Sequence, residues 1–84
     1  RQGPSVQVKM RVRENMMGAL IDWFGKKFRI VQETEDGLII SVACNKLAMR
    51  YWALQYGEYV EVLEPENLRD EIREVVDCMA SFYR

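Results

Sequence analysis

The 84-residue sequence contains no histidine. That removes the commonest general base and the commonest metal ligand at once. Its two cysteines, Cys44 and Cys78, are far apart and form no CxxC pair, so zinc-site spacing is absent as well. Two cysteines in apolar surroundings read as small buried hydrophobes, and a reducing cytoplasm is expected. There is no GxGxxG, no phosphate-binding loop and no GxSxG. No apolar run approaches the roughly 20 residues of a membrane span, so no membrane partner is expected. A charge excess is also missing, since twelve basic residues meet thirteen acidic ones. Duplex binding usually needs a basic surplus on at least one face.

What remains is ordinary for one globular domain, with 49% hydrophobic and 30% charged residues. At this apolar content and a net charge of -1, disorder is excluded. Arg1-Gln2-Gly3-Pro4-Ser5 reads as a linker or cloning remnant, and residues 6–84 as a single domain. The start on arginine suggests a piece of a longer protein.

Val6, Val8, Met10 and Val12 alternate with Gln7, Lys9, Arg11 and Arg13, which is the pattern of a half-buried strand with one basic face. A helix follows from Glu14, with Met17, Leu20, Ile21 and Phe24 on one stripe and Gly25 as its stop. Residues 28–34 read as a second strand. Glu35-Asp36-Gly37 reads as a turn, because Asp-Gly tolerates positive φ. Residues 38–44 read as a central strand, apolar at nearly every position. Asn45 is the expected N-cap of a second helix with Leu47, Tyr51 and Leu54 as its stripe. Gly57 ends that helix, residues 58–63 form a fourth strand, and Pro65 sits in the first turn of a last helix. Leu68, Ile72, Val75, Val76, Met79 and Tyr83 give that helix a long apolar stripe.

The fold class is therefore α+β. The order β-α-β-β-α-β matches a ferredoxin-like split βαβ, with an additional C-terminal α-helix. That helix must lie on the open sheet face, on an edge, or against another chain.

Chemistry is scarce. Cys44 and Cys78 lack a neighbouring base, and the carboxylate pairs Glu35-Asp36 and Asp70-Glu71 fall in a turn and on a solvated helix face. No enzyme and no cofactor are expected. The candidate binding residues are Lys9, Arg11 and Arg13 on one side of the first strand, with Arg29 on the same sheet face. They either pair with Glu33 or Glu61 on neighbouring strands, or form a platform for an anion or nucleic acid. The inner strands offer no aromatic for base stacking, which counts against an ordinary single-strand RNA reader. Trp23, off the main stripe of its helix, and Tyr59 are the candidate interface residues.

A set of words now follows in order. Ala19-Leu20-Ile21-Asp22-Trp23-Phe24-Gly25-Lys26-Lys27 comes first, then Asp36-Gly37-Leu38 and Trp52-Ala53-Leu54-Gln55-Tyr56-Gly57. Val60-Glu61-Val62-Leu63-Glu64-Pro65 and Leu68-Arg69 complete it. Together they resemble the C-terminal extension, WCX, of bacterial WYL-domain transcription regulators, over residues 6–83. The resemblance implies a ferredoxin-like regulatory domain of a longer protein. DNA would be bound by an N-terminal winged helix-turn-helix outside this sequence. The extension would help sense a nucleotide or single-stranded DNA effector and help form a homodimer. It transfers no site residue, because the family's effector residues belong to the WYL domain. Two alternatives stay open. A free-standing ACT-like small-ligand sensor is opposed by the lack of glycine in the turn at residues 12–15. A nucleic-acid-binding ferredoxin-like domain is opposed by the missing aromatics and the net charge.

Overall fold

A computed structural model describes residues 4–84. Residues 1–3 of the expected linker lie outside the described residues. Ser5, expected in the same linker, already pairs with Asn45 as the first residue of a strand.

Four strands, β1 (Ser5–Arg13), β2 (Arg29–Thr34), β3 (Gly37–Asn45) and β4 (Val60–Glu64), form one sheet in the order β2-β3-β1-β4. Every pairing is antiparallel. β1 and β3 are central and the longest, nine residues each. Because β1 and β2 both run against β3, they are parallel to each other with β3 between them. β3 and β4 stand in the same relation across β1. The helices α1 (Met17–Phe24), α2 (Lys46–Gln55) and α3 (Glu66–Phe82) follow β1, β3 and β4, and a 3₁₀ turn at Glu14–Met16 leads into α1.

Alternation decides which sheet face is covered. Val8, Met10 and Val12 of β1, Ile40 and Val42 of β3, and Val60 and Val62 of β4 are buried on one side. Met16, Leu20, Met49, Trp52, Ala53 and Leu68 close over them from the helical layer. Full burial of each such aliphatic side chain contributes roughly 1.5–3 kcal/mol before chain entropy is counted. The Phe24 ring meets Trp52 edge-on at 5.2 Å, which joins α1 to α2, and Tyr56 lies 5.0 Å from Trp52.

Local signals act where the sequence places them. Asn45 accepts a 2.9 Å hydrogen bond from the Ala48 amide and caps α2. Gly25, at φ +59°, ends α1 and donates its amide to the Ile21 carbonyl at 2.8 Å.

Several expectations are corrected. Gly37 does not take positive φ; it is required because a Cβ there would strike the Val12 carbonyl oxygen and come within 2.9 Å of the Arg13 Cα. The inward stripe of α2 is Met49, Trp52 and Ala53, while Leu47 and Tyr51 face solvent. In α1, Ile21 is likewise exposed and Leu20 alone is fully buried. Pro65 is the N-cap rather than a first-turn residue. Of the three placements open to the last helix, the structure shows the edge. The helix lies along the β4 edge and against α2, anchored by buried Leu68 and half-buried Ile72.

Candidate ligand-facing sheet surface

The face opposite the helices carries the odd-numbered residues of β1, and register fixes their neighbours. Residues directly across a ladder point to the same side of the sheet. One row therefore runs Arg29, Ser41, Lys9, Glu64 across all four strands. The next runs Gln32, Ile39, Arg11, Glu61. Arg13 lies opposite Gly37 at the end of the face. The irregularity between Lys9 and Met10 is what brings Glu64 opposite Lys9.

All four predicted cations thus share one face, three of them with carboxylate partners. Lys9 Nζ is 3.8 Å from Glu64, Arg11 is 3.6 Å from Glu61, and Arg13 is 3.5 Å from Asp36. Glu33, the other expected partner, pairs with Leu38 and points to the opposite side. Arg29 has no ion-pair partner among the described residues. At this exposure each pair contributes at most about 1 kcal/mol and is easily exchanged for a ligand anion. Ser41, beneath Arg29 and Lys9, is the buried polar residue of the face, and the Gln7 side-chain amide donates to its hydroxyl at 2.6 Å.

The two interface candidates are separated. Trp23 is 59% exposed on α1, in the helical layer and away from the cations. Tyr59 lies just before β4 in a polar hollow of about 280 Å³ that also holds Arg11, Arg13 and Glu58. Its phenol is pushed up by the hydrogen bond with Glu58 and by that carboxylate's charge. No aromatic stands on the inner strands of the open face, so bases have no stacking platform there.

Sequence reasoning missed Arg69. From α3 it donates to Glu61 at 2.9 Å and to the Val62 carbonyl at 2.8 Å, so Glu61 is shared by Arg11 and Arg69. On the helical side Lys46 and Arg50 of α2 clasp Glu71 of α3 at 2.7 and 3.8 Å. The Lys46 hydrogen bond holds the Glu71 carboxyl below the usual range. Burial pushes the Cys44 thiol up. No helix among the described residues is long and apolar enough to cross a membrane.

The family model of the WCX domain matches residues 4–80, the whole sheet and nearly all of α3. The chain belongs to the WCX domain family. No curated protein matches it. Within this WCX domain the matched span takes in the ordered words quoted above. Trp52, Tyr56 and Gly57 prove to be core and helix-end residues, while Glu61 and Arg69 reach the ion network.

Proposed function

We propose that this WCX domain is a non-catalytic regulatory module of a bacterial WYL-type transcription regulator, working in the cytoplasm. In this reading it contributes to effector sensing and to dimerisation, while a separate winged helix-turn-helix binds DNA. The sheet order β2-β3-β1-β4, all antiparallel, supports the ferredoxin-like plan that the resemblance implies.

The observation that carries the sensing part is the open sheet face. Four cations meet three carboxylates there, each ion pair is exposed, and among the described residues the helices pack on the other face and along the β4 edge. An anionic effector such as a nucleotide or short single-stranded DNA gains charge-assisted hydrogen bonds from Arg29 without first breaking a pair. The flat, aromatic-free surface favours phosphate contacts over base reading.

Amide chemical shifts, recorded while titrating nucleotides and a short single-stranded DNA at low and physiological salt, test this. Shifts centred on Lys9, Arg11, Arg13 and Arg29, weakened by Arg29→Ala, are expected. If no ligand moves these amides at either salt concentration, the face is not an effector surface. The domain's role would then be confined to assembly.

A further inference from the structure

Where α3 runs beside the β4 edge, helix and sheet do not close on each other completely. An open groove of about 340 Å³ remains between them, within the range of roughly 300–1,000 Å³ that small-molecule sites occupy. Its walls are aliphatic: Ala53 and Leu54 from α2, Val60 and Val62 from β4, Ile72 and Val76 from α3. The charged side chains of the lining are Glu61, Arg69 and Arg73. Residues four apart on a helix share a side. Helix α3 therefore presents two adjacent rows to the groove, an apolar one of Ile72 and Val76 and a cationic one of Arg69 and Arg73.

The cations have donors to give. Arg69 uses one terminal nitrogen on the protein, Nη1, which donates to Glu61 at 2.9 Å and to the Val62 carbonyl at 2.8 Å. Its Nε and Nη2 groups meet no acceptor among the described residues. The Arg73 side chain is 69% exposed, and its partner Asp70, at 3.2 Å, belongs to the same helix. Glu61, the one carboxylate of the lining, is held between Arg11 and Arg69. The balance at the groove is thus positive. Strand β4 adds main-chain groups. The Tyr59 carbonyl accepts from the Arg13 amide at 3.0 Å, so Tyr59 and Glu61 turn their peptide groups toward β1. Val60 and Val62 turn theirs to the outer edge, the direction in which Arg69 finds the Val62 carbonyl.

We propose that this groove binds a small monocarboxylate with an unbranched apolar tail, of the medium-chain fatty-acid class. The carboxylate takes the open donors of Arg69 and Arg73, a geometry for which the guanidinium fork is suited. The tail lies along Ile72 and Val76, against Leu54 and Ala53. Each half of the lining argues against another occupant. A nucleotide would leave the aliphatic walls uncovered, a neutral hydrocarbon would leave the guanidinium groups unmatched, and α3 itself keeps a peptide strand from pairing with this edge. The useful length of the tail is limited. Past Val76 the groove gives way to a more open hollow that carries Glu58. The site is separate from the open-face cations Lys9 and Arg29, because Val60 and Val62 point to the helical side, and it does not depend on the sensing reading.

The test is calorimetric titration and amide chemical-shift mapping of the 84-residue chain with butanoate, hexanoate, octanoate and decanoate, and with octanol as the uncharged control. Saturable binding is expected, with shifts centred on Leu54, Val62, Ile72 and Arg73. Each added CH₂ should tighten it by up to about fourfold, which corresponds to ~0.8 kcal/mol, with little further gain from octanoate to decanoate. Arg73→Gln, at an exposed position where folding is not at risk, should weaken octanoate by about three- to tenfold and leave octanol unchanged. Val76→Glu, at a half-exposed position, should abolish binding of the acids. Octanol that binds as tightly as octanoate, an Arg73→Gln chain that binds octanoate unchanged, or an affinity that ignores tail length overturns the proposal. The absence of saturable binding at every tail length overturns it as well. Octanoate shifts centred on Lys9 and Arg29 would mean that the open face takes the acid as a simple anion, which refutes the groove and leaves the sensing reading intact. Groove shifts with octanoate, beside Lys9 and Arg29 amides that ignore oligonucleotide, would refute only the sensing reading.

Discussion

Replacing Leu68 with alanine should release α3 from the domain. Leu68 is the one fully buried residue of that helix, and it inserts into the same cluster as Val62, Met49 and Trp52. Truncating a buried leucine costs about 2–5 kcal/mol, the spread reflecting how far the surroundings collapse into the space. Its cluster neighbours Ala53, Val62 and Ile72 also line an open hollow of about 340 Å³, which gives them room to relax, so the lower part of that range, about 2–3 kcal/mol, is expected. In a domain of this size 1 kcal/mol moves the melting temperature by about 4–8 °C, so Leu68→Ala should lower it by roughly 10–20 °C. Met79→Ala removes a side chain that is nearly half exposed, and should cost about 0.5 kcal/mol or less. Both are measured by thermal and urea unfolding. Amide exchange supplies the second readout, because α3 amides beyond Glu74 should exchange quickly even in the unmodified chain. Equal costs for the two variants would refute the reasoning, since the C-terminal half would then be packed on its own domain. So would a loss below about 1 kcal/mol for Leu68→Ala, which would mean the anchor lies elsewhere.

Three further outcomes follow from single contacts. Gly37→Ala should destabilise by at least about 1–3 kcal/mol, the usual cost of overpacking, because its Cβ meets the β1 backbone; a neutral result in urea unfolding contradicts the close approach. Glu71 has a lowered pKa in the folded chain, so its stabilisation is present above the unfolded glutamate value of about 4.3 and is lost as pH falls through the lower folded value. Lys46→Met should raise the Glu71 midpoint toward the ordinary value in a carboxyl-detected titration, and an unmoved midpoint rejects the Lys46 hydrogen bond as the cause. Cys78 is exposed, whereas Cys44 is half-buried with a raised pKa, so a thiol reagent at neutral pH should label Cys78 first; the reverse order would refute the placement of Cys44.

Strands were the legible part of this sequence. Alternation in residues 6–13 reveals both faces of β1, and four cations on one sheet side follow from that period and from the parity of Arg29. Which side of α1 and α2 turns inward was not legible. Leu47, Ala48, Met49, Tyr51, Trp52, Ala53 and Leu54 are apolar nearly all round the helix, so periodicity supports two stripes equally. The stripe that wins is the one carrying Trp52, whose ring packs on both Phe24 and Tyr56. Ion pairing was half legible. Glu61 falls opposite Arg11 by simple register, but Glu64 reaches Lys9 only through a strand irregularity that no residue type announces. Arg69 was hidden because its partner belongs to the preceding strand, and the angle at which α3 leaves β4 decides whether they meet. The apolar stripe of α3 was plain, but only the fold shows that it is covered at Leu68 and Ile72 and exposed at Tyr83.

Glu61 ties the sheet face to the helix, and its exposure limits what that tie can transmit. The carboxylate is 3.6 Å from Arg11 on the open face and 2.9 Å from Arg69 on α3. An anion that draws Arg11 away leaves Glu61 wholly to Arg69, strengthening the hold on the first turn of α3. Both pairs are solvent-exposed, so the energy exchanged is at most about 1 kcal/mol, a factor of about five in an equilibrium. A bridge of that size biases an arrangement already near balance, but cannot by itself drive a switch from 1:99 to 99:1, which needs about 5.5 kcal/mol. The coupling is reciprocal, so whatever fixes α3 in place must change anion affinity at Arg11 by the same modest factor. Any larger response would have to come from contacts that an anion makes directly, on the face at Arg29.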